Sequence, residues 1–86
     1  MSLLTNKKIK QSQLIKLLEE LGYVNARSNG QHLIFKHTDS KSLIALRHAN
    51  KNEVIPLFII ASVYKNIISS DIATENQIIK ILEEKI

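Results

Sequence analysis

Three histidines, His32, His37 and His48, lie in the middle of this 86-residue chain, and Arg27, Lys36, Lys41, Arg47 and Lys51 lie among or beside them. Imidazole is the side chain whose ordinary pKa, about 6.5, lets it take and give protons near neutrality. Clustered cations neutralise phosphate. Together these residue types suit chemistry on RNA, which carries its own nucleophile, the 2′-OH. Cleavage there needs a base for that proton and donors for the charge that builds on phosphorus. A positioned acid or base contributes ~10²–10⁴-fold, and fixed donors add electrostatic stabilisation. His32 is the candidate base, and Lys36, four residues on, the candidate stabilising cation. His48 is a candidate second proton carrier or phosphate contact. The plainer alternative is that His32 only flanks a turn and that many of these cations are ordinary solvated charge. Three histidines also invite a metal, but no carboxylate or cysteine spacing supports a site. No metal and no cofactor is therefore expected.

These residues need a scaffold, and Asn29-Gly30 announces it. Asn-Gly between two β-prone runs is a strong short-range hairpin signal, and both residues tolerate the positive φ of a type I′ turn. Tyr23 to Ser28 reads as the first strand and Gln31 to His37 as the second. Thr38-Asp39-Ser40-Lys41 makes a polar turn, and Ser42 to Leu46 a third strand. Strand side chains alternate between faces. His32, Ile34 and Lys36 thus share one face, and Leu33, Phe35 and His37 share the other. Leu33 and Phe35 suit the core, which leaves His32 and Lys36 on an open face and makes His37 structural.

Helices flank this meander. Residues 1–10 read as a flexible arm. Ser12, or a residue just before it, starts a helix whose stripe is Leu14, Leu17, Leu18 and Leu21. Gly22 is suited to end it in a left-handed conformation. After a polar loop from Arg47 to Asn52, Pro56 fits the first turn of a second helix. The apolar stripe predicted there is Leu57, Ile60, Ala61 and Tyr64, widened by Val63 and Ile67. Thr74 with Gln77 forms a capping box for a third helix over about 75–85, with Ile78, Ile79, Leu82 and Ile86 on one side. That stripe fits equally against its own domain or against a partner. The prediction is a single α+β domain in two layers, a three-stranded antiparallel sheet with two helices on one face, a core of about 11–68 and a C-terminal helix of about 71–86.

Charge is uneven. Residues 1–51 hold nine basic and three acidic groups, whereas residues 52–86 hold three and five. A basic front half favours a polyanionic partner, nucleic acid being the commonest. No cysteine is present, which excludes disulfides and Cys-based zinc. Lys7, Lys8 and Lys10 are not followed by the apolar run of a signal peptide. The longest apolar run, Val54 to Val63, is about half what a span needs. A cytoplasmic protein is expected.

The order helix–strand–strand–strand–helix is that of double-stranded-RNA-binding domains. Local signatures add to it: a Leu-rich helix ending in Leu21-Gly22-Tyr23, a tight Gly turn, His32, then Ile34-Phe35-Lys36-His37, and further on Leu46-Arg47-His48, Lys51, Glu53 and Pro56. In this order they resemble the HicA family of toxin ribonucleases (mRNA interferases) over about residues 8–68. The resemblance implies a small endoribonuclease that cuts mRNA without a metal. It also implies that His32 is the catalytic histidine and that a HicB-type antitoxin holds the protein inhibited. The chain departs from the family pattern at Asn29 and Gln31, which stand where Gly and Ser or Gly are usual. It departs again at Leu57-Phe58, where Gly-Thr often follows the loop proline. The alternative reading is a non-catalytic RNA-binding or partner-binding module on the same scaffold.

Overall fold

The computed structural model describes residues 8–84. The chain runs α1 (Gln11–Glu20), β1 (Tyr23–Asn29), β2 (His32–His37), β3 (Leu43–Arg47), α2 (Leu57–Ser69) and α3 (Glu75–Glu84). The strands form one antiparallel sheet in the order β1-β2-β3. This is the α+β arrangement that the sequence predicts. Among the described residues, no helix is long and apolar enough to cross a membrane.

The arm expectation does not hold for its last residues. Ile9 is buried in the core, and its carbonyl accepts from the Ile55 N–H at 2.8 Å. Lys10 bridges Val54. An isoleucine next to a strand-like partner gains more by burial than it loses in chain entropy. Residues 1–7 of the expected arm lie outside the described residues. Helix α1 starts one residue before Ser12, and Gln13 Oε1 accepts from the Lys10 N–H at its N-terminus.

The hairpin forms one residue later than Asn29-Gly30. Asn29 pairs with His32, so the loop is Gly30-Gln31. Gly30 has φ +54, and Gln31 stays out of the left-handed region. Only the first central residue is left-handed, the pattern of a type II′ rather than a type I′ turn, with glycine where that type wants it. A bulge at Ala26 follows from the register. Asn25 opposes Phe35 and Arg27 opposes Ile34, leaving Ala26 unpaired. Plain alternation would put Arg27 on the core face with Tyr23; the extra residue turns it to the open face.

One face of the sheet is packed. Phe35, Ile44, Leu46 and Tyr23 meet Leu14, Leu17 and Leu18 of α1 and Ile60, Val63, Tyr64 and Ile67 of α2 in one cluster. The α2 stripe is thus rotated from the predicted one. Leu57 and Ala61 are exposed, because apolar residues line most of this helix and the sheet takes the 60-63-64-67 face. Helix α3 packs on α1 and puts Ile78 and Leu82, with Ala73, into the same core. Its stripe is therefore covered by its own domain, and the core extends past residue 68. The Thr74–Gln77 capping box forms in both directions, at 2.8 and 3.2 Å. Lys85 and Ile86 lie outside the described residues.

Candidate functional site

Among the described residues, no helix covers the second face of the sheet. The register puts Val24 and Arg27 of β1, His32, Ile34 and Lys36 of β2, and Leu43, Ala45 and Arg47 of β3 on it. His32, Arg27, Lys36 and Arg47 are all exposed. His32 stands directly across from Arg47. The His48 N–H donates to the Gln31 carbonyl at 2.9 Å, which makes 32–47 a non-hydrogen-bonded pair. In such pairs the Cα atoms approach to about 4.5 Å and the side chains lie close. Lys36 sits four residues from His32 along the same strand, about 13 Å away at ~3.3 Å per residue. The cation directly across from His32 is therefore Arg47 and not Lys36.

Two hollows flank this face. One, of about 360 Å³, is lined by His32, Ala45, Arg47 and His48 together with Glu53, Pro56, Phe58 and Ile59. It brings two of the three histidines and one guanidinium to one place, at the edge strand and the entry to α2. The other, shallower and of about 740 Å³, is lined by Arg27, Ile34, Lys36, Lys41, Thr38 and Ser40 among others, with Asp39 at its rim. Lys51 lines neither hollow; its carbonyl accepts from the Ser12 N–H at the start of α1. The candidate cations therefore fall into two groups, Arg47 near His32, and Arg27, Lys36 and Lys41 further along the face, with Lys51 apart.

His37 lies on the packed side and is buried. The Asp39 N–H donates to its Nδ1 at 3.2 Å, and its Nε2 lies 2.9 Å from the Leu21 carbonyl. With Nδ1 accepting, Nε2 carries the proton and donates, so both nitrogens are satisfied in the neutral ring. The ring also meets Tyr23 edge-on, with centroids 5.0 Å apart. It packs against Gly22, whose φ is +99 and where a Cβ would come within 3.2 Å of Nε2. His37 thus ties the end of α1 to the sheet. It does not join His32 and His48, and among the described residues no three His, Asp or Glu side chains group as metal ligands would.

Three lining residues are not among the site candidates that the sequence offers. Gln11 is buried, and its Nε2 donates to the Arg47 carbonyl at 3.1 Å, fixing the strand end that carries the guanidinium. Glu53 adds a carboxylate to the His32 hollow, and Phe58 adds an exposed ring. Gln11 gives no sequence signal, since its partner is 36 residues away. Phe58 lies off the stripe predicted for its helix.

A family model described as "HicA toxin of bacterial toxin-antitoxin" matches residues 12–67, more than half of the chain. No curated protein and no solved structure matches it. The matched span runs from α1 almost to the end of α2 and includes the open face and the lining of both hollows except Gln11.

Proposed function

The chain belongs to the HicA toxin family of bacterial toxin–antitoxin systems, and from that premise we propose that it is an endoribonuclease that cleaves mRNA by proton transfer through His32. The observation that carries this reading is the exposed His32 ring paired across the ladder with Arg47. In this mechanism His32 removes the proton of a ribose 2′-OH. The freed oxygen attacks the adjacent phosphorus, and Arg47 stabilises the charge that develops on the non-bridging oxygens. The P–O5′ bond breaks, leaving a 2′,3′-cyclic phosphate, and the departing 5′-oxygen takes a proton from His48 or from water. The nucleophile is internal to the substrate, so the step asks for no metal. Arg27, Lys36 and Lys41 hold the strand further along the face by its phosphates.

A toxin of a toxin–antitoxin system has an antitoxin as its partner. We propose that the partner is of the HicB type and presents acidic groups to the open face, covering His32. Substrate and inhibitor then compete for one basic surface.

The test is purified protein, free of antitoxin, incubated with RNA in the presence of a chelator. Cleavage that ends in cyclic phosphates and disappears in His32→Ala is the expected result. Intact RNA, or a His32→Ala variant that cuts as well as the parent, overturns the reading. If His32→Ala changes nothing while Lys36→Glu or Arg47→Glu weakens a measurable RNA complex, the protein is a binding module instead. In either case RNA affinity falls with salt, with a logarithmic slope of about −0.7 for each phosphate neutralised on a single strand.

A further inference from the structure

The chain has two phenylalanines, and the fold treats them oppositely. Phe35 is 2% exposed in the core, whereas Phe58 is 73% exposed in the first turn of α2. The core stripe of α2 excludes Phe58, since Ile60, Val63, Tyr64 and Ile67 face inward. A bare aromatic ring contributes little to stability, so burial does not explain it. Its position is informative: it lines the same hollow as His32, Arg47 and His48.

That hollow has two kinds of wall. Phe58, Pro56, Ile59 and Ala45 supply apolar surface, and the two imidazoles and the Arg47 guanidinium supply polar groups, with Glu53 adding a carboxylate. A nucleotide has the same two sides, a flat base with π faces and a phosphate. Unpaired bases are commonly held by stacking on aromatic side chains, whatever their identity.

We propose that Phe58 is a stacking platform for one unpaired base next to the scissile phosphate. This rests on the ribonuclease reading and narrows it. An unpaired base can reach the ring, whereas a base inside a duplex is stacked on its neighbours and cannot. The site therefore takes single-stranded RNA, on a scaffold shared with duplex readers. Stacking also orients the ribose so that its 2′-OH faces His32, and it does so with little preference among bases.

The experiment uses the full chain in a His32→Ala background, so that RNA is bound and not consumed. A short fluorescein-labelled single-stranded RNA of mixed sequence and a hairpin duplex are the probes. Phe58→Ala is expected to weaken the single strand by about 5- to 150-fold, the range for loss of one stacked base. Phe58→Leu should lose nearly as much, since it keeps apolar area but no ring, and Phe58→Trp should keep most of the affinity. An abasic site walked along the strand should reproduce the loss at one position, with no further loss there in Phe58→Ala. Melting curves should not move, because the ring is exposed. If the parent binds the RNA and both Phe58→Ala and Phe58→Leu bind it equally well, the platform is refuted while the ribonuclease reading stands. If the parent binds no RNA, both fall. If Phe58→Ala keeps RNA but releases the antitoxin, the ring, together with neighbouring exposed Leu57 and Val54, is a protein anchor and the proposal is wrong.

Discussion

His32 and Arg47 oppose each other as a non-hydrogen-bonded pair at the open end of the β2–β3 ladder, and the bond from His48 to Gln31 closes that ladder just beyond them. The chain thereby sets an imidazole beside a guanidinium on adjacent strands. The Gln11 side chain holds the Arg47 carbonyl from below.

A division of labour between cations follows. Arg47→Ala should lower kcat for RNA cleavage by about 10²-fold, the usual cost of removing one transition-state donor. Lys36→Ala, further along the strand, should raise KM and leave kcat nearly unchanged. Arg47→Lys should recover part of the rate, since the charge remains but the fork of donors is lost. Single-turnover kinetics separate these terms, and equal kcat losses at both positions would contradict the assignment.

His37 should behave unlike His32. His37→Ala removes a buried ring, leaves the Asp39 N–H and the Leu21 carbonyl without their partner, and should cost roughly 1–3 kcal/mol in urea unfolding. Gly22→Ala should destabilise too, because φ +99 suits only glycine and the new Cβ would press on the same ring. Both variants, under conditions where they are fully folded, should retain cleavage. A stable but inactive His37→Ala would place that histidine in the chemistry.

Periodicity made much of this legible. The strand alternation at 32–37 separated exposed His32 and Lys36 from buried Phe35 and His37, because a two-layer sheet has only two environments. Gly22 and the Thr74–Gln77 box were readable because each depends on neighbours within four residues. What stayed hidden depends on register. The bulge at Ala26 that turns Arg27 outward and the one-residue shift of the hairpin loop leave no compositional mark. The alignment of Arg47 with His32, which makes Arg47 and not Lys36 the nearer cation, is fixed by the 38–42 turn and not by spacing along one strand. In α2 the apolar residues cover too much of the helix circumference for periodicity to choose a face, so Leu57 was read as buried although it is exposed.

A buried polar relay joins the two layers and makes its own prediction. Ser42 Oγ donates to Asn66 Oδ1 at 2.7 Å and lies 2.7 Å from Tyr23 Oη, while Asn66 Nδ2 donates to the Leu43 carbonyl at 3.1 Å. The serine has one proton and the amide oxygen can only accept, so Tyr23 must donate to Ser42. Ser42→Ala strands the buried Tyr23 hydroxyl, while Asn66 Oδ1 keeps the Ser70 hydroxyl at 3.4 Å, and should cost roughly 1–3 kcal/mol. Tyr23→Phe in that background should then cost less than Tyr23→Phe alone, giving a coupling of about 0.5 kcal/mol or more in a double-mutant cycle. Additive losses would mean that the relay is not shared.

Tyr64 supplies the opposite case. It is 4% exposed, and its hydroxyl has no hydrogen-bond partner among the described residues. Burial pushes its pKa up to about 12, from the ordinary 10.0. Burial also raises that of Tyr23. Between those two values the unfolded chain has lost the Tyr64 proton while the folded chain still holds it. The folded state thus binds more protons, and stability falls as pH rises through that window. The Tyr64 contribution is fully present below pH 10 and is lost on approaching 12. Tyr64→Phe removes both the unpaired hydroxyl and this titration. It should be as stable as the parent or up to about 1 kcal/mol more stable at neutral pH, and its urea midpoint should fall less steeply above pH 10, with the remaining slope carried in part by Tyr23. A Tyr64→Phe variant that is clearly less stable at neutral pH would reveal a partner for the hydroxyl, and an unchanged alkaline slope would remove Tyr64 from the titration.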